Sequence, residues 1–171
     1  MQLPSASVSG DGLSPDESAG VGQDVAYDKA KWHYGGDFPR WTPKRRAFVH
    51  TGFFLVWLVD RRMVSDLLAT ESAKRVAAIR ARRGRPSDLY VEWDGVLASE
   101  MLNDLGNAFA RDYYELRFLE DYASVFADAA PYGVRGSWQE YERLAPLLDE
   151  RFDEWRSEHG QHAHEDESPN H

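Results

Sequence analysis

Three residues in the first third of the chain have side chains suited to metal binding or acid–base chemistry: His33, Asp37 and His50. Neutral imidazoles and a carboxylate are common ligands of zinc and other divalent transition metals. His33 and Asp37 lie on either side of a glycine pair, so their spacing lacks the one-face geometry of a helical metal motif. His50 lies in an apolar run, where a histidine is more often a structural core residue. The pattern therefore favours structural roles and predicts no catalytic residue, bound metal or cofactor, with a metal-dependent site as the alternative.

The segment that contains His33 is rich in aromatic residues, which permits a second kind of site. Trp32 and Phe38 lie within a few residues of each other, among glycines and a proline. Several large aromatic side chains exposed together would form an apolar patch that monomers seldom carry, so we expect the loop from Trp32 to Pro39 to pack against the core. Aromatic anchors are also favoured in partner-binding surfaces. The candidate binding residues are Trp32, His33, Asp37, Phe38 and His50.

Several classes of chemistry are excluded by what the sequence lacks. The chain contains no cysteine, which rules out disulfides, thiolate metal sites and cysteine nucleophiles. It has no G-x-S-x-G nucleophile elbow, no P-loop and no G-x-G-x-x-G fingerprint, so those devices for hydrolysis and nucleotide binding are absent.

The charge is strongly polarised along the chain, although the net charge is only −9. Residues 27–86 contain 14 basic and 5 acidic side chains, whereas residues 87–155 contain 5 basic and 16 acidic ones. Either the two halves pack together and neutralise each other, or the surface has two faces that steer a charged partner. The acidic balance argues against a nucleic-acid partner.

An acidic set of residues and the C-terminal histidines could bind a partner or a metal. The simpler interpretation is that both groups are only solvated. An acidic set could cover a basic partner: Asp112, Glu115, Glu120 and Asp121. The C-terminal histidines could hold a transition metal loosely: His159, His162, His164 and His171.

The apolar spacing predicts an all-α fold, an irregular bundle of five or six helices with an aromatic-rich core. The helices are expected over residues 44–60, 71–83, 99–116, 118–126 and 138–155, the last kinked or restarted at Pro146. Asp28, Ser65, Ser99 and the Ser137/Glu140 pair are expected to cap helices. Gly52 indicates close approach by another element. A strand is a possible alternative for residues 88–93.

Composition also predicts the domain limits and the location. The ends are polar and contain no aromatic residue, so we expect residues 1–26 and 157–171 to be disordered tails around one helical domain at 27–156. The longest apolar run, residues 47–59, is shorter than the roughly 20 residues that a membrane span needs. The start of the chain lacks the features of a secretion signal, so we expect a cytoplasmic protein without a membrane anchor.

Four stretches resemble a family of small uncharacterised bacterial proteins, a domain of unknown function. The opening fits Y-D-x-A-x-W-H-x-x-G-D-F-P, from Tyr27 to Pro39. The others are His50–Trp57, Leu102–Ala110, and Trp138–Tyr141 continued by Asp149–Phe152 and Trp155. Together they cover nearly all of residues 27–155. The resemblance implies the domain limits but no activity and no catalytic residue.

These observations favour a non-enzymatic protein-interaction module of the immunity or regulatory kind, with an unknown protein partner. The alternative is a metal-dependent enzyme that uses His33, Asp37 and His50.

Overall fold

The computed structural model describes residues 25–34, 44–129 and 133–165. In chain order it contains β1 (Ala26–Lys29), α1 (Ala30–Tyr34), a 3₁₀ segment (Lys44–Phe48), α2 (Val49–Asp60), α3 (Asp66–Glu71), α4 (Ala73–Arg80), α5 (Asp88–Glu92), β2 (Val96–Ala98), a second 3₁₀ segment (Ser99–Met101), α6 (Asp104–Tyr113), a π-helical turn (Tyr114–Phe118), α7 (Leu119–Val125) and α8 (Trp138–Glu165). The expected all-α class is confirmed, with one small sheet that the sequence pattern did not predict.

Helix α2 forms the centre of the fold. Every residue from Val49 to Val59 is buried, as expected for a helix that is apolar on nearly all faces. Gly52 allows this close packing, because a Cβ atom there would lie 2.7 Å from the Cα atom of Ser87. The predicted close approach at Gly52 is therefore confirmed, and the approaching segment is the start of α5.

Aromatic rings from α2, α6, α7 and α8 fill the core. Phe54 stacks near Trp57, and both rings lie within 6.5 Å of the Phe109 ring, centroid to centroid. Phe109 in turn makes an edge contact with Phe152 of α8, at 5.1 Å. Such offset and edge-to-face arrangements are the favoured geometries of aromatic pairs. The expected aromatic-rich core is confirmed.

A bulge in the two-stranded sheet turns two consecutive residues inward. Strands β1 and β2 are antiparallel, with Ala26 opposite Ala98 and Asp28 opposite Leu97. Two residues of β1 thus face one of β2, which is the definition of a β-bulge. In a regular strand Tyr27 and Asp28 would point to opposite faces, but here both are buried. The bulge therefore brings the Asp28 carboxylate into the core.

The structure tests the predicted helix-capping residues. Ser65 caps α3, and Ser137 and Glu140 form the capping box of α8, both as expected. The prediction for Ser99 is wrong, because α6 begins later and its cap is Asn103. Asp28 is not a cap either, since it lies in β1.

Two further expectations concerned a strand at residues 88–93 and an interruption of the last helix at Pro146. Residues 88–92 form α5, so the strand alternative there is wrong. Helix α8 continues through Pro146 as one element, so no restart occurs at that proline.

Part of the opposite charge of the two sequence halves is neutralised internally. Arg75 binds Asp88 at 3.2 Å and Glu92 at 3.1 Å, and Arg61 pairs with Asp149. These ion pairs join the basic half to the acidic half. Asp121 is buried against Arg151, at 2.8 Å, so it does not belong to an acidic surface.

The structure does not test the predicted domain limits at residues 27 and 156. Helix α8 extends beyond residue 156, to Glu165, and most of the two expected tails lies outside the described residues. Within the part of the chain that is described, no helix combines the length and apolarity needed to cross a membrane.

Candidate functional site

A buried polar cluster lies where β1, α1, α2 and the π-helical turn meet. We call it the Asp28 cluster; its members are Asp28, His33, His50, Thr51 and Tyr114. Asp28 comes from the bulged strand, His33 from the last turn of α1, and His50 and Thr51 from the first turn of α2. The consecutive β1 and α1, the start of α2 and the more distant π-helical turn thus contribute to one site.

The Asp28 carboxylate is the centre of the cluster. The Nε2 atom of His33 lies 3.0 Å from Oδ1, and that of His50 lies 3.4 Å from Oδ2. The hydroxyl of Tyr114 donates to Oδ2 at 2.8 Å, and Thr51 Oγ1 donates to the same oxygen. The Tyr114 and Thr51 hydroxyls also contact each other at 2.7 Å.

The two histidines face each other as well as the carboxylate. Their rings lie 4.7 Å apart, centroid to centroid, at nearly a right angle. The Nε2 atom of His50 is fully buried, and no described residue forms a well-aligned hydrogen bond with it, although Asp28 Oδ2 lies 3.4 Å away. Buried polar atoms are nearly always satisfied, so this orphan nitrogen requires an explanation.

Burial and contacts within the cluster shift the pKa values of Asp28, His50 and Tyr114. Burial, the largest influence, raises the pKa of Asp28, but the hydrogen bonds from His33 and Thr51 and the nearby His50 imidazole outweigh it and lower that pKa far below its usual range. Burial lowers the pKa of His50, which favours the neutral imidazole. Burial and the Asp28 charge raise the pKa of Tyr114, which keeps its phenol protonated as a donor.

Tyr114 reaches the site from the first position of the π-helical turn. Tyr113 and Tyr114 are consecutive and both buried, yet their hydroxyls bind different carboxylates. Tyr113 donates to Asp121, whereas Tyr114 donates to Asp28. A π-helical turn inserts an extra residue into a helix and shifts the following side chains, and such turns occur frequently at functional sites.

The structure brings two of the predicted site residues together. His33 and His50 converge, as the metal alternative required. Asp37 and Phe38 lie outside the described residues, so their predicted roles stay predictions. The carboxylate that meets the histidines is Asp28, which the sequence analysis did not propose as a ligand. Its position in the Tyr27–Asp28 opening is the one signal that could have pointed to it; Tyr114 had none.

Trp32 does not pack against the core as expected, whereas residues 35–39 of the predicted loop lie outside the described residues. Its side chain is 55 % exposed, and the Nζ atom of Lys29 lies 5.5 Å from its ring centroid. A cation above an exposed indole is a favourable contact, but it buries little apolar surface. Packing of Trp32 is therefore not what holds this segment.

Comparison with known proteins gives a family and nothing beyond it. No curated protein and no solved structure gives a significant match. One family model matches residues 26–134, which include every member of the Asp28 cluster. The match ends before Trp138, so it does not extend to the α8 stretches of the resemblance described above. The chain belongs to the family described as Domain of unknown function (DUF7832).

Proposed function

We propose that this protein binds a single divalent transition-metal ion through Asp28, His33 and His50. The observation that carries the proposal is their convergence: one ligand atom from each lies within 4.8 Å of the other two. Two of the three residues are fully buried and the third is half-buried. A metal held here would have rigid protein ligands.

The donor set fits a borderline transition metal. Two imidazole nitrogens and one carboxylate oxygen are typical of zinc and non-haem iron sites. Calcium and magnesium are bound by more ligands, nearly all of them oxygen atoms. We therefore expect zinc, cobalt or ferrous iron to bind in preference to either of those ions.

The orphan nitrogen of His50 supports the same conclusion. If Nε2 carries a proton, its hydrogen bond is unmade; if it does not, its lone pair faces a carboxylate. Both states are unfavourable in a buried position. A cation bound by Nε2 and the carboxylate satisfies both groups. The lowered pKa values of Asp28 and His50 favour the deprotonated forms that a metal requires.

Calorimetric titration with zinc tests the proposal in the full-length chain. The C-terminal histidines must first be silenced by substitution with asparagine at positions 159, 162, 164 and 171, because they could bind zinc themselves. We expect one tight site per chain. His33→Asn is the most informative variant, because His33 is only half-buried and its loss should leave the fold intact.

Loss of His33 should weaken zinc binding by more than about 100-fold, the upper end of what losing an outer-shell partner costs. The four C-terminal substitutions serve as the matched control, because they remove histidines without touching the Asp28 cluster. The proposal fails if no saturable site is found, or if His33→Asn binds zinc as the control does.

A protein-interaction role, of the immunity or regulatory kind, is the second candidate. The exposure of Trp32 supports it, because exposed tryptophans are frequent anchors of protein interfaces. Glu115 and Glu120 are also exposed, and such surface carboxylates would attract a basic partner.

Affinity capture from the native host distinguishes this second role. Wild-type protein is compared with Trp32→Ala and with Leu67→Ala, a control with similar exposure at 46 %. We expect one partner to be lost with Trp32→Ala and retained with Leu67→Ala. Equal capture by all three proteins would remove Trp32 as an anchor.

A further inference from the structure

The two oxygens of the Asp28 carboxylate have different surroundings. Oδ2 accepts hydrogen bonds from Thr51 and Tyr114, both of which are buried. Oδ1 faces the Nε2 atom of His33 at 3.0 Å. Oδ2 also lies 3.4 Å from the Nε2 atoms of both His33 and His50. Because two hydroxyl donors already occupy Oδ2, Oδ1 is the oxygen that a metal can reach more readily. Asp28 is arranged to act as a one-oxygen ligand.

The sides of the cluster also differ in their access to solvent. Thr51, Tyr114 and His50 close it from the core side. The His33 side chain is 21 % exposed, and the neighbouring Trp32 is more exposed still. Among the described residues, the approach from solvent therefore runs along α1.

Charge on that side favours an anion. A divalent metal with one carboxylate and two neutral imidazoles has one net positive charge. Residues 25–34 add Lys29 and Lys31, and their only acid is Asp28 itself. A small anion that reached the metal would therefore meet a positive field.

We propose that the metal site keeps one coordination position open, on the α1 side, for a small anionic ligand. This inference rests on the metal site proposed above and adds to it. Three protein ligands with an open fourth position are typical of catalytic rather than structural zinc sites. Tyr114 and Thr51 act as positioning residues: by holding Oδ2, they prevent Asp28 from chelating the metal with both oxygens and filling that position.

Cobalt(II) and azide provide the test, in the full-length chain with the four C-terminal histidines replaced. Cobalt(II) gives visible absorption bands that depend on its coordination number, and azide is a small anion that binds open metal positions. We expect the cobalt-loaded protein to show an intense visible band that azide shifts in a saturable manner. Cobalt and azide in buffer without protein give the blank.

Tyr114→Phe tests the positioning role, and Tyr113→Phe is the matched control. The two changes are identical and adjacent, but the Tyr113 hydroxyl binds Asp121 instead of Asp28. We expect Tyr114→Phe to retain cobalt and to weaken azide binding by about 10-fold or more. Tyr113→Phe should bind azide as the parent protein does.

The possible failures are distinguishable. A cobalt band that azide leaves unchanged overturns the open position but leaves the metal site standing. Equal azide binding in all three proteins overturns the role of Tyr114. Absence of any cobalt band overturns this inference together with the proposed function.

Discussion

At the scale of single residues, the predicted chemistry was half visible in the sequence. His33 and His50 were recognisable because histidines are rare in the domain and their chemistry is specific. Their partner was not recognisable, because Asp28 is buried through a strand bulge, and a bulge depends on pairing with residues 97 and 98 far along the chain. Thr51 and Tyr114 were not recognisable either, because their contacts with Asp28 depend on how α2 and the π-helical turn pack against β1. Residue type suggests a function, whereas convergence requires tertiary structure.

The exposure of Trp32 gives the first prediction. Trp32→Ala removes little buried surface, so the melting temperature should fall by less than about 2 °C. Trp57 is 1 % exposed and packs in the aromatic core, so Trp57→Ala should cost about 3–5 kcal/mol and lower the melting temperature by many degrees. Thermal unfolding followed by circular dichroism compares the two variants. A large loss for Trp32→Ala would contradict its observed exposure.

At the scale of elements, helices were more predictable than strands. Helix α2 follows from its apolar run, and α8 from its capping box and the spacing of its apolar residues, signals that act locally. Strands β1 and β2 have only 4 and 3 residues, too few to show an alternating pattern. The cap of α6 was misplaced because Ser99 and Asn103 are both good capping residues and the 3₁₀ segment between them is not encoded by periodicity.

The contact between α2 and α5 gives a prediction at Gly52. A Cβ atom there would lie 2.7 Å from the Ser87 Cα atom, a backbone atom that cannot rotate away. Gly52→Ala should therefore lower the free energy of unfolding by about 1–3 kcal/mol despite its better helix propensity. Gly160→Ala is the control, because no described atom outside its own stretch of α8 lies within 4 Å of its Cβ position. Chemical denaturation should show neutral or slightly higher stability for Gly160→Ala.

The capping box of α8 gives a prediction about pH. Burial raises the pKa of Glu140, but hydrogen bonds from Ser137, Arg135 and Gly136 outweigh it, and the pKa is lowered. A lowered pKa means that the carboxylate stabilises the fold above its unfolded pKa of about 4.3, and that this stabilisation is lost as the pH falls through the folded value.

Glu140→Gln should therefore destabilise the protein by about 1 kcal/mol at pH 7, and by progressively less as the pH falls below about 4. Thermal melts across this pH range measure the difference from wild type. The exposed Glu142, two residues later, provides the control substitution Glu142→Gln. A difference for Glu140→Gln that stays constant down to pH 3 would show that the charge of its carboxylate is not what stabilises the cap.

At the scale of the whole molecule, aromatic content and the helical spacing of apolar residues predicted the fold class well. Both signals extend over long stretches of the chain, so local exceptions do not obscure them. The charge polarity was also visible in the sequence, but the pairs that neutralise it, such as Arg75 with Asp88 and Glu92, depend on the tertiary arrangement. The domain limits at 27 and 156 rest on composition, and composition does not register that α8 continues to Glu165.

The continuation of α8 gives a prediction about truncation. A chain of residues 27–155 retains Phe152 and Trp155, whose rings pack on Phe109, but loses His159, whose ring lies 4.5 Å from that of Trp155. We expect this chain to fold with helix content per residue similar to that of the whole protein. Circular dichroism measures both. A marked loss of helix would place the boundary of the domain further along α8.

The central claim is that Asp28, His33 and His50 bind one metal ion, and anomalous diffraction from crystals grown with zinc tests it most directly. The account predicts a strong anomalous peak at the zinc edge, about 2.0–2.2 Å from both Nε2 atoms and from one Asp28 oxygen. A peak found only at the C-terminal histidines, or no peak in the Asp28 cluster at saturating zinc, would contradict it.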